Sequence, residues 1–151
     1  MDLTLPFLHQ EEIDLCWRVK NKGYTIKYLF ESKVYHLGGA TLQQGNPKKT
    51  ELNFRNSLLM LTKNLPQKDL YRILFIRMVL DGIAGIQFLL QGKIKHFWAI
   101  LKAHFAFYAR YSENYAKRSN FQQKEYYIVK SIVYSYFVKK IRFFNDIITL
   151  K

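Results

Sequence analysis

The sequence predicts a mixed α+β fold, with a short α/β segment over residues 1–66 and a basic, mainly α-helical tail over residues 67–151. Three observations predict it. Tyr24, Ile26, Tyr28 and Phe30 alternate with Thr25, Lys27 and Leu29, which is the period of a strand. Gly38-Gly39 and Gly45-Asn46-Pro47 punctuate the first third with turns. From Thr50 onward the apolar residues recur at helical spacing.

Taken in order, His9 to Asn21 has helical spacing, with Ile13, Trp17 and Cys16 on its apolar side and Lys22-Gly23 as the stop. The alternating strand follows, and a second short strand, Lys33 to Leu37, runs into the two glycines. Ala40 to Lys49 reads as a polar loop. Helices are then expected from Thr50 to Asn64, ended by Pro66, from Gln67 to Gln91, and from Ile94 to Arg110. Ser112 to Asn120 reads as a loop before a last helix over Phe121 to Leu150.

A chain of 151 residues with 49% hydrophobic content can close one ordinary core. The net charge of +13 is lopsided: residues 1–60 hold eight Lys/Arg against six Asp/Glu, residues 61–151 sixteen against five. A basic half that is also rich in aromatics suits a polyanion, whether nucleic acid, an anionic lipid surface or a phosphate-bearing substrate. A solvated surface reads the same way. No nucleic-acid motif is present, which ranks that partner last. Cys16 is the single cysteine, so an intrachain disulfide and a multi-cysteine metal site are excluded, and a reducing compartment is expected. Met1-Asp2 does not open a signal peptide. The most apolar stretch, Ile73 to Gly92, is interrupted by Arg77, Asp81 and Gln87 and is not a clean membrane span.

Three clusters could carry chemistry. Glu11-Glu12-Ile13-Asp14 puts three carboxylates into one helical turn, and such crowding can raise a carboxyl pKa toward that of a general base. The same acids favour a helix N-terminus, and Asp14 with Arg18 makes an ordinary i,i+4 pair, so spacing alone leaves both readings open. His36, at a strand end before Gly38-Gly39, can face a site where backbone approaches a ligand, and neutral imidazole is a good metal ligand; a structural histidine would look alike. Lys48-Lys49 and Arg55-Asn56, at and within a helix start, suit a phosphate or a solvated surface equally.

In order, Glu-Glu-x-Asp-Leu-Cys-x-Arg, Gly-Tyr and a strand, Val-Tyr-His-x-Gly-Gly-x-Thr, Asn-Pro-Lys-Lys-Thr and Asn-Phe-Arg-Asn resemble the C-terminal active-site region of family 2 glycosyltransferases, the rhamnosyltransferase-like bacterial group in particular. The resemblance covers residues 7–66 closely and the tail loosely. It implies the C-terminal portion of a GT-A α/β fold and inverting transfer from a nucleotide-sugar to a polysaccharide or lipid-linked acceptor. By the same resemblance Glu12 is the catalytic base, a Glu where Asp is usual, with Glu11 and Asp14 shaping its field and anchoring the helix. His36 would approach a metal–diphosphate. Arg18, Gly38, Gly39, Lys49, Arg55 and Asn56 would bind substrate or diphosphate.

Full-length members hold Mg²⁺ or Mn²⁺ on an Asp-x-Asp motif, which this sequence lacks, and only ten residues precede Glu11. The expectation is a truncated enzyme that is inactive and binds no metal alone, with a separately encoded N-terminal half as one candidate partner. The expected place is cytoplasmic, peripheral at the inner face of the bacterial cytoplasmic membrane. The alternative is a non-catalytic basic helical module that binds an anionic membrane surface, resting on the tail's charge and on the stripe Phe97, Leu101, Phe105 and Tyr108.

Overall fold

The structure is a computed structural model that describes residues 10–35, 45–118, 126–127, 129, 132–143 and 145–146. Among these residues the fold is all-helical: α1 (Glu11–Asn21), α2 (Pro47–Asn64), α3 (Gln67–Leu90), α4 (Ile94–Ala116) and α5 (Ile132–Phe137). That corrects the expected α/β segment, and with it the GT-A fold. Residues 24–35 form no strand; beyond the Tyr24 bond that closes α1, a turn bond from Ser32 N–H to the Leu29 carbonyl is their backbone pairing among the described residues. A strand needs a neighbour for its backbone donors and acceptors, and no described segment offers one. The alternating side chains consequently stay uncovered, Tyr28 and Tyr35 almost completely.

α1 starts with three acids in its first turn and ends with Arg18 and Lys20 in its last, an arrangement that complements the helix dipole at both ends. Gly23, at φ +85°, closes it: its N–H reaches the Lys20 carbonyl and the Tyr24 N–H reaches that of Val19. The expected apolar side packs only in part: Trp17 is half-buried against the core and stacks on Tyr126, but Ile13 and Cys16 are exposed, whereas Asp14 and Asn21 are buried, because α1 also meets α2 through polar groups.

α2 begins three residues before the expected start. Asn46 caps it by accepting the Lys48 N–H at 2.8 Å, and Pro47 occupies the first turn, where no donor is needed. Leu65-Pro66 ends it. Arg118 then covers the frayed end, its guanidinium donating to the carbonyls of Thr62 and Leu65 while lying over the Tyr115 ring. α3 ends like α1, on Gly92 at φ +70°, with the Lys93 N–H returning to the Phe88 carbonyl. α4 runs on to Ala116 through the polar stretch expected to be a loop, since Tyr111 and Tyr115 pack on the core and Asn114 satisfies itself on the Arg110 carbonyl. The expected last helix, Phe121 to Leu150, is not continuous among the described residues: α5 has six residues, 126–127, 129 and 138–143 are not helical, 145–146 are, and the rest of the span lies outside the described residues.

The core lies among α2, α3 and α4, where Leu58, Leu59, Leu65, Leu70, Leu74 and Phe107 are buried together. α3 packs closely on α4 at Gly85, where a β-carbon would stand 3.3 Å from the Phe97 ring. Below it, Asp81 is buried between Arg77 (2.8 Å) and His104 (3.2 Å).

Candidate functional site

The acidic turn is held from behind. Asp14 is fully buried, with Arg18 Nε at 2.8 Å on one oxygen and Asn64 Nδ2 at 2.7 Å on the other. Lys63, itself buried, stands 3.9 Å away and adds a second positive charge. Asn21 Nδ2 donates to the Asn64 carbonyl at the far end of α1, and Gln10 Nε2 donates to Ser57 Oγ at 2.6 Å at the near end. Three ties over the length of α1 thus fix it to one face of α2. A buried carboxylate facing two cations is compensated in charge, although its Oδ2 and the Arg18 Nε meet as an ion pair without hydrogen-bond geometry; removing it would take away that counter-charge.

Glu11 and Glu12 differ. Both are exposed, and neither has a hydrogen bond or an ion pair among the described residues. The turn therefore divides its three acids into one structural carboxylate and two that are open to solvent. Arg18, expected at substrate, is engaged with Asp14.

Other expected site residues lie elsewhere. His36, Gly38 and Gly39 fall outside the described residues. Arg55 and Asn56 are buried, and Arg55 Nε donates to Asn56 Oδ1 at 3.0 Å. Arg55 sits two positions from Ser57, about 200° round the helix at 100° per residue, so it points away from α1 and toward Arg110 of α4. Burial, and secondarily Arg110, lowers its pKa, and its Nη2 has no hydrogen-bond partner among the described residues. Lys49 borders an open recess of about 570 Å³ at the start of α2, together with Asn46, Thr50, Phe88, Lys93 and His96. There Thr50 Oγ1 and His96 Nδ1 are 2.8 Å apart, and the His96 ring stacks on Phe88 at 5.0 Å. Lys49 lies eight residues along α2 from Ser57, about 12 Å at 1.5 Å per residue, and Asn53, also on the recess, four residues from it.

Sequence reasoning did not single out Lys63, Asn64 or Asn21, whose roles arise only when α1 meets α2. It likewise passed over Lys93 and His96, which a turn brings to the start of α2. No three His, Cys, Asp or Glu side chains gather among the described residues in a way that could hold a metal ion. With Asp14 already neutralised, these residues do not fit the Mg²⁺ or Mn²⁺ site that the resemblance implies, and no step is routed through one. A scan of protein-family models, a search of curated proteins and a search of solved structures found no match to this chain.

Proposed function

We propose that this chain supplies the proton-accepting part of an inverting glycosyltransferase, which moves a sugar from a nucleotide-sugar to a saccharide or lipid-linked acceptor. One observation carries the reading: Glu12 is exposed and unpaired among the described residues, on a turn anchored by the buried Asp14, Arg18, Lys63 and Asn64 group. A general base must be positioned yet free to take a proton, and this turn meets both conditions. The reading is one of site chemistry and does not extend to the fold.

In the reaction, the acceptor hydroxyl oxygen attacks the anomeric carbon and its proton passes to the Glu12 carboxylate. The bond from that carbon to the diphosphate oxygen breaks, the electron pair leaves with the diphosphate, and the single displacement inverts the centre. Glu11 is the adjacent carboxylate able to hydrogen-bond the acceptor. Lys49 and Lys93, at the recess by the start of α2, offer positive charge to a diphosphate. Arg55 and Asn56 take no part in this arrangement. The second reading, a membrane-binding module, is favoured by the uncovered face of α3 and is compatible with the first.

The test is Glu12→Gln in a transferase preparation that contains this chain together with a nucleotide-binding half. Transfer is expected to fall by about 10²–10⁴-fold, the usual contribution of a general base, with donor affinity by calorimetry unchanged. Wild-type turnover by the variant would remove Glu12 from the mechanism.

A further inference from the structure

α3 is apolar enough to cross a membrane, with a mean hydropathy of 1.9 over its best window, yet only 17% of that window is buried. Arg77 and Asp81, which break the pattern in sequence, explain how both facts hold. They point inward: Asp81 is buried against Arg77 and His104, and Arg77 lies over the Phe54 ring. The outward arc carries Phe75, Ile76, Val79, Ile83, Ile86 and Leu90, all exposed, with Gln87 an exposed but uncharged polar side chain among them; of the charged residues between positions 73 and 90, Arg77 is half-buried and Asp81 buried. Charges appear only at its ends, Lys68 and Arg72 before it and Lys93 and Lys95 after it, all exposed.

α4 extends this surface. Phe97, His104 and Tyr108 face α3, the last through a hydrogen bond from its hydroxyl to the Met78 sulfur. One step round the helix, away from α2, Ile94, Trp98 and Phe105 are exposed, with Lys102 at their border. An uncovered apolar face of this breadth, rimmed by lysine and arginine and edged by Trp98 and Tyr71, has the charge and aromatic pattern of a surface seated in the headgroup region of an anionic bilayer.

We infer that the α3–α4 hairpin lies flat in the interface of an anionic membrane, the outward arc of α3 buried among the acyl chains and its flanking basic residues on lipid phosphates. α3, about 36 Å long at 1.5 Å per residue, does not span. Crossing would carry the Arg77, Asp81 and His104 group and the attached polar helix α2 into hydrocarbon, where ionisable groups are costly. The flat seat keeps all of them on the wet side. It does not depend on Glu12.

The test is co-sedimentation of the full chain with neutral phosphatidylcholine vesicles and with vesicles containing phosphatidylserine. Wild type is expected to pellet with the anionic vesicles, less in high salt, and hardly with the neutral ones. Val79→Asp with Ile83→Asp, both at exposed positions, is expected to lower binding by at least about tenfold with its circular dichroism unchanged, and Lys93→Glu with Lys95→Glu to remove the anionic preference. Trp98 gives a readout independent of these variants. The fluorescence component that Trp98→Phe removes should be quenched more by a nitroxide near the headgroup than by one deep in the chain. Equal pelleting of wild type and V79D/I83D, no anionic preference, or no quenching of Trp98 would each overturn the inference. So would a concentration-dependent dimer that V79D/I83D dissolves in the absence of vesicle binding, which would assign the face to a second copy. E12Q is expected to bind vesicles like wild type, so failure here and failure of the transferase reading are separable.

Discussion

At the scale of single residues, Asp14 and Glu12 stand two positions apart in sequence and have opposite roles. Asp14→Ala would remove the carboxylate that faces Lys63, buried to 6% exposure, and that accepts from Asn64. Breaking a buried charge group in this way costs about 3–5 kcal/mol, and a Tm fall of about 10 °C is expected in thermal denaturation. Glu12→Ala, exposed and unpaired, should change stability by no more than the ±0.5 kcal/mol typical of surface changes, a Tm shift of about 1–2 °C. A drop in both would mean that the whole acidic turn is structural. Tyr126 is a second residue with a measurable signature. Burial first, and the Asp69 carboxylate that accepts its hydroxyl at 3.2 Å second, push its pKa up to about 12. A folded-state pKa raised above the ordinary tyrosine value of about 10 means that this contribution to stability is intact below pH 10. It is lost as pH rises through 12. Ultraviolet titration should therefore show a late-ionising phenol that Tyr126→Phe removes and Asp69→Asn shifts downward. The Asp14–Arg18 pair was legible in the sequence at i,i+4 spacing. Its partners Lys63 and Asn64 were not, because fifty residues separate them and only tertiary contact joins them.

At the scale of elements, periodicity located α1, α3 and the body of α2 and α4, and punctuation located their ends when it was followed through. Asn46-Pro47 is a cap followed by a first-turn proline, so the start of α2 is present in the sequence although its polar residues also suit a loop. The stretch after Arg110 looked polar, yet Tyr111 and Tyr115 recur at i,i+4 and carry α4 onward. The strand signal at Tyr24 to Phe30 is real as alternation, but pairing depends on a neighbour that periodicity cannot supply. The two glycines of α3 give a test of how it packs. At Gly82 a β-carbon meets nothing within 4 Å, whereas at Gly85 it meets Phe97. Gly82→Ala should stabilise by about 0.5–1 kcal/mol through helix propensity, and Gly85→Val should destabilise by about 1–3 kcal/mol by prising α3 from α4, both read by chemical denaturation. Equal effects would show that α4 does not lie against this face of α3.

At the scale of the whole molecule, α2 carries the acidic helix on one side and packs against the α3–α4 hairpin on another. The +11 balance of residues 61–151 signalled a polyanionic partner, but composition could not show that the inward charges of α3 are spent on one another, leaving the outer face apolar. If the hairpin rests on a membrane, the chain that carries Glu12 is concentrated where a lipid-linked acceptor would lie. The most direct measurement is sugar transfer to a lipid-linked acceptor in anionic vesicles, comparing wild type with E12Q at equal vesicle-bound protein. E12Q is expected to remain bound and to lose at least about a hundredfold in turnover, as removal of a general base does; turnover equal to wild type would contradict the assignment of Glu12 as the proton acceptor.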